Sequence, residues 1–196
     1  MNTSSELPEV IGISGTLASG KDTLAGELEK EYGYTHASTG DMIRMVARER
    51  YGNIERPTLV KTGIELRTEN GPGILAERAL ATGKRPIVIT GIRAAGEVEA
   101  IKKAGGVIVF IEADPKVRYE RMKDRLRDDE TELSFEEFLA REAREVEVTN
   151  NDADQNIGVV KSMTDIMLSN NGSKAEFFDN AIKLLQQHQN RPTISE

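Results

Sequence analysis

At 196 residues the chain fits one domain, and 38% hydrophobic with 30% charged residues is the balance of a globular protein with a sizeable core. A net charge of −7 argues against a general nucleic-acid or membrane-surface binder, and the absence of cysteine excludes disulfides and thiolate metal sites. No apolar run approaches the roughly 20 residues of a membrane span, and the acidic, polar opening "MNTSSELPE" lacks the pattern of a secretory signal, so the expectation is a cytoplasmic protein with neither nucleic-acid nor membrane partners.

Strand-like and helix-like stretches alternate along the chain. "EVIGIS" (9–14) predicts a short buried strand. "KDTLAGELEKEYG" predicts a helix, with Leu24, Leu28 and Tyr32 at four-residue spacing and Gly33 as its stop. "YTHAS" is a second strand, and Ser38 with Asp41 in "STGD" forms a capping-box pattern opening the helix "DMIRMVARERYG". Residues 58–80 have a helical pattern interrupted at "NGPG" (70–73). "RPIVIT" predicts a strand, "AGEVEAIKKAGG" a helix and "GVIVFIEA" another strand. Asp114 caps the next helix with Pro115 in its first turn, and that helix carries Tyr119, Met122 and Leu126 on one face. Ser134 and Glu137 open a helical insert, and "TDIMLSNNGS" holds a last strand and a turn. Ser173 and Glu176 cap a final helix running to about 187, before a frayed tail. This alternation implies a parallel sheet covered on both faces, in which ligands bind at the carboxyl ends of the strands.

The first strand–helix junction carries the clearest chemistry. Gly15 and Gly20 bracket four residues and Lys21 follows, giving G-x-x-x-x-G-K. Such a loop turns backbone N–H groups toward a phosphate, the lysine adds a point charge, and the helix N-terminus adds its dipole. Gly15, Ala18, Ser19, Gly20, Lys21, Asp22 and Thr23 are therefore the candidate ATP-binding set. Asp22 stands where Ser or Thr usually ligates magnesium.

The second junction, "STGDMIR" (38–44), closely resembles the segment of adenylate kinases that holds the acceptor nucleotide. Adenylate kinases also place Thr one residue beyond the usual position, as Thr23 stands here, so Asp22 does not disqualify the loop. Further segments occur in order: "ELRTENGP", "VITGIR", "RYERMKDRLRDD", "EEFLAREARE" and "LSNNGS". Together they resemble an archaeal family of adenylate-kinase-like proteins, related to dephospho-coenzyme A kinases, over most of residues 9–185. The resemblance implies a P-loop three-layer α/β/α fold: a five-stranded, mostly parallel sheet with a small helical lid over about 125–150. One kinase domain would span 1–190, with an acceptor-binding region at about 39–83 and a tail at 191–196.

Residue by residue, the resemblance implies that Thr39, Arg44 and Arg93 bind the acceptor, the two arginines gripping its phosphate, and that Arg67 faces the same cleft. Arg118, Arg121 and Arg125 recur along one helix face, and Arg127 follows. Arg121, Arg125 and Arg127, with Lys21, would stabilise the transferring phosphoryl group, where charge spreads over the equatorial oxygens. Arg141 and Arg144 are further lid candidates, and Asn170 would border the donor's adenine. One departure stands out. The family's third-strand motif places a magnesium-positioning Asp where this chain has Thr90. Asp22 is the candidate compensation, so Asp22 and Thr23 are the metal candidates. The expected cofactors are ATP and magnesium, and the expected partner is a small phosphorylated acceptor. Its base and sugar, and the oligomeric state, stay open. A dephospho-coenzyme A kinase and an acceptorless ATPase or regulator are the alternatives. His36, inside the second strand, has a structural role as its expected one.

Overall fold

The computed structural model describes residues 7–124, 133–146 and 156–190. Arg125, Leu126 and Arg127 lie outside them, as do the side chains of Arg141 and Arg144. Five strands form one sheet: β1 (Val10–Gly15), β2 (Thr35–Ser38), β3 (Ile87–Thr90), β4 (Val107–Glu112) and β5 (Ile166–Ser169). Their order is β2-β3-β1-β4-β5, and every pairing is parallel rather than mostly so. Parallel strands need crossover connections, and helices supply them. These are α1 (Lys21–Tyr32), α2 (Thr39–Tyr51), α3 (Arg56–Asn70), α4 (Ile74–Leu80), α5 (Ala95–Lys103), α6 (Pro115–Lys123), α7 (Phe135–Val146), α8 (Ile157–Ser162) and α9 (Lys174–Gln189).

The inner strands β1, β3 and β4 are buried almost throughout because both of their faces are covered, whereas the edge strand β2, "THAS", is half-buried. Every residue of β1 and β3 is buried, and consecutive side chains feed opposite cores. Ile11 and Ile13 pack with Leu24 and Leu28 of α1 and Phe177 and Leu185 of α9. Val10, Ile87 and Ile89 pack with Ala76, Val98, Ile101 and Val160 on the other face. Ile43, Leu66 and Leu75 form a smaller core that holds α2, α3 and α4 together. At the sheet edge, β5 alternates: Ile166 and Leu168 are buried, while Met167 is 43% exposed.

The helix starts follow their caps. Ser38 accepts the Asp41 N–H at 3.2 Å, Asp114 accepts that of Lys116 at 2.8 Å, and Ser173 accepts that of Glu176 at 3.2 Å. Three boundaries differ from the sequence expectation. The helical stretch expected from 58 begins earlier, at Arg56, while its break at 70–73 falls between α3 and α4 as expected. The short α8 precedes β5, where no helix was expected. The final helix extends to Gln189.

The register brings the functional loops to one edge. Ser38 is opposite Thr90, Thr90 is opposite Ile13, and Gly15 is opposite Ile111. The turns after β1, β2 and β3 thus leave the sheet side by side.

Candidate active site

The loop between β1 and α1 is built for close approach. A Cβ on Gly15 would collide with the Ile111 carbonyl oxygen, and one on Gly20 with the Asn170 side-chain amide. Both glycines have positive φ, at 141° and 105°. Ala18, at φ 56°, is a left-handed residue with a side chain, a conformation costing on the order of 1 kcal/mol. Lys21 Nζ folds over the loop and donates to the Gly15 and Thr16 carbonyls at 2.9 and 2.6 Å. No side chain caps α1, so its first N–H groups and its dipole face the loop's mouth. The hydroxyls of Thr16 and Ser19 are buried with no hydrogen-bond partner among the described residues. Uncapped amides, orphan hydroxyls and a lysine together suit a polyphosphate.

Two cavities flank this loop. The first, of about 310 Å³, is lined by Gly20, Thr23, Arg121, Asn170 and Phe177 among others. Asn170 is buried and holds the loop directly: its Nδ2 donates to the Ser19 carbonyl at 2.8 Å. Arg121 braces Asn170, donating to its carbonyl at 3.0 Å and to its Oδ1 at 3.3 Å. Arg121 therefore stands beside Phe177 in this cavity and does not line the neighbouring one. Its stripe-mate Arg118 is 3% exposed. It pairs with Glu142 of α7 through both terminal nitrogens, and Nε donates to the Ala113 carbonyl at 2.8 Å. Arg118 ties α7 to the sheet rather than presenting its charge to a cavity.

The second cavity, of about 290 Å³, gathers cations. Lys21, Arg44, Arg56 and Arg93 line it, with Asp22, Thr39 and Thr90. Ile43, Leu59, Val60 and Met122 supply apolar walls. Thr39 is buried, and its hydroxyl donates to the Gly91 carbonyl at 2.8 Å, locking the start of α2 to the turn after β3. Arg44 pairs with Asp41 at 2.7 Å on a partly exposed helix face, an interaction weak enough to be exchanged for a ligand. Thr90 forms part of the cavity floor, and His36 Nε2 lies 2.9 Å from its hydroxyl.

Arg67 is not in either cavity. It is 1% exposed and paired with Glu97 inside the fold, so the expected direct contact with a ligand is corrected to a position beneath the site. The physical reason is position along the helix. Arg67 shares the face of Arg56 and Val60, which line the cleft, but it stands two turns beyond Val60, where Glu97 of α5 meets it inside the fold. Arg56 was not anticipated from sequence. The signal was present as a cation just before Pro57 at the head of an amphipathic turn.

The two metal candidates diverge. Asp22 lines the arginine-rich cavity and Thr23 the other, as successive residues on the first turn of α1. Among the described residues no cluster of three or more His, Asp or Glu could chelate an ion. Magnesium binds through few protein oxygens and keeps its water, so Asp22 beside Lys21 fits such an ion. No helix among the described residues is long and apolar enough to cross a membrane.

Comparison with known proteins agrees with this architecture. The fold is shared with a gluconokinase from Sinorhizobium meliloti 1021, at TM-score 0.57 and 17% identity over 93% of this chain and 94% of that one. It is shared with a shikimate kinase from Acinetobacter baumannii solved with shikimate, at TM-score 0.58 and 17% identity over 93% of each chain. A UPF0200 protein of Thermococcus kodakarensis is 31% identical over 188 residues, covering 91% of this chain and 97% of its relative. With residues 11–158 matching the AAA domain model, the chain belongs to the UPF0200 family and carries an AAA domain on a P-loop kinase fold.

Proposed function

We propose that this protein transfers the terminal phosphoryl group of ATP to a small acceptor that already carries a phosphate, as a nucleoside or deoxynucleoside monophosphate kinase does. The observation that carries this reading is the convergence of Arg44, Arg56 and Arg93 with Lys21 in one cleft beside the loop. Forked guanidinium groups suit the phosphate of an acceptor, and the apolar side chains between them suit a base or sugar. The donor's phosphates occupy the 15–21 loop, and its base lies toward Arg121, Asn170 and Phe177. Asp22 would hold the hydration shell of magnesium, which supplies charge neutralisation to the phosphates when bound.

The reaction is a direct in-line displacement. A phosphate acceptor is already anionic at neutral pH, so no general base is needed. Lys21 and the cleft arginines orient both phosphates and offset the charge that builds up between them. Arg125 and Arg127 stay as proposed contributors from the lid.

A second reading is favoured by one contact. The His36–Thr90 hydrogen bond lies at the cleft floor, where a hydroxyl acceptor such as dephospho-coenzyme A would need its proton removed.

The test is ADP release from magnesium-ATP against every ribo- and deoxyribonucleoside monophosphate, dephospho-coenzyme A, and water alone. Stimulation by one monophosphate is the expected outcome and names the substrate. Stimulation by dephospho-coenzyme A alone would replace the first reading by the second. Slow release that no acceptor changes would overturn both in favour of an ATPase or nucleotide-binding regulator.

A further inference from the structure

Arg67 and Glu97 form an ion pair with both side chains fully buried. Arg67 Nε and Nη2 donate to Glu97 Oε1 at 3.0 and 2.7 Å, while Nη1 has no hydrogen-bond partner among the described residues. A buried pair returns little net stability, and well-packed apolar side chains of similar volume often do as well or better. The other carboxylate oxygen shows where the pair acts. Glu97 Oε2 accepts the backbone N–H of Arg93 at 2.8 Å and of Ala94 at 3.2 Å. Ala94 is the N-cap of α5 and has no side-chain oxygen, so Glu97 reaches back from the first turn to satisfy these amides. The Arg93 carbonyl accepts the N–H of Asn156, the N-cap of α8, at 2.8 Å. The preceding carbonyl, of Ile92, accepts the Ser14 hydroxyl at 2.7 Å. Both backbone groups of Arg93 are therefore held by residues that do not line the cleft.

We propose that Glu97 is a positioning residue for the acceptor's phosphate. It fixes the Arg93 backbone so that the guanidinium enters the cleft in one direction, and Arg67 supplies the counter-charge. This rests on the phosphate-binding role given to Arg93 above. A ligand-holding side chain needs such a second layer, because displacement by about 1 Å can cost up to about a hundredfold in a reaction that depends on alignment. An apolar pair would fill the same space but could not accept the two amides.

Two double variants of the full chain separate positioning from packing. R67M/E97Q and R67M/E97L both remove the buried charges at similar volume. Glutamine keeps an oxygen for the Arg93 and Ala94 amides, and leucine does not. The probe is inorganic phosphate titrated into ¹⁵N-labelled protein, with the Arg93 Nε–H signal followed and the thermal midpoint measured separately. The glutamine pair is expected within about twofold of the parent affinity at Arg93, and the leucine pair roughly tenfold weaker, at similar midpoints. Equal affinity in the two pairs would overturn the proposal, as would a parent protein whose Arg93 signal ignores phosphate. Should the leucine pair not fold, R67M/E97Q against R67M/E97M makes the same comparison with a straight-chain side chain that lacks the oxygen. The titration needs no turnover, so a silent acceptor panel would remove the kinase reading and leave this inference standing or falling by itself.

Discussion

Arg56 sits at the head of α3, exposed, with its side chain at the rim of the arginine-rich cleft. A charge-assisted hydrogen bond to a phosphate is worth about 1.5–3 kcal/mol, so Arg56→Ala should raise the acceptor KM by about tenfold or more. The ATP KM and the melting temperature should stay near those of the parent, since the residue is on the surface and outside the donor cavity. Steady-state kinetics with each substrate varied in turn checks this; equal increases in both KM values would place Arg56 outside the acceptor site. Arg44, Arg67 and Arg93 illustrate how far a residue type can be read. All three were legible as cations in a phosphate-handling chain. Which of them reaches the cleft depends on burial. Arg67 lies two turns along α3 from the cleft, buried against Glu97, while Arg93 emerges from the turn after β3 and Arg44 from the second turn of α2.

At the scale of elements, local chemistry was the most legible part of the chain. The capping pairs Ser38–Asp41, Ser134–Glu137 and Ser173–Glu176 all stand at observed helix starts. The one at α9 has a pH signature. Hydrogen bonds from the Ser173 hydroxyl and N–H hold the Glu176 carboxyl below its ordinary value of 4.5. A carboxyl depressed in the folded state stabilises above its unfolded value, and that contribution is lost as pH falls toward the folded one. Glu176→Gln should therefore lower the melting temperature at neutral pH and flatten its decline between about pH 5 and pH 3. Melting curves across that window check the sign: a variant with an unchanged slope would show that the cap carries no such linkage. The elements that escaped prediction are those with little local signal. α8 spans six residues, too short for an apolar period, and Val160 finds its place only against β1 and α5. The start of α3 at Arg56 was hidden because Pro57, usually a stop, is well tolerated in a first turn.

For the molecule as a whole, the consequence is linkage between nucleotide and stability. The 15–21 loop is stitched to β4 through Gly15, to the β5–α9 turn through Asn170, and to α6 through Arg118 and the Leu17 carbonyl. A ligand seated there favours the folded chain over the unfolded one. Magnesium-ATP at a hundred times its Kd should add about 2.7 kcal/mol, which for a chain of this size is a rise in melting temperature of roughly 5–10 °C. Differential scanning calorimetry with and without nucleotide checks this; a midpoint that ATP leaves unmoved would sink the nucleotide assignment itself.

The sequence by itself determined the parallel sheet, the loop chemistry and the helix caps, because each is written in neighbouring residues: apolar runs, glycine spacing, a serine three residues ahead of a carboxylate. Tertiary structure alone decided which arginines share a cleft, that Arg67 serves Glu97 instead of a ligand, that Asp22 and Thr23 face different cavities, and that His36 meets Thr90 across two strands. Those outcomes depend on how helices dock and on strand register between segments 30 to 54 residues apart, as the Arg67–Glu97 and His36–Thr90 contacts are. No local pattern carries that information, since it comes into being only when the helices dock and their buried faces are chosen.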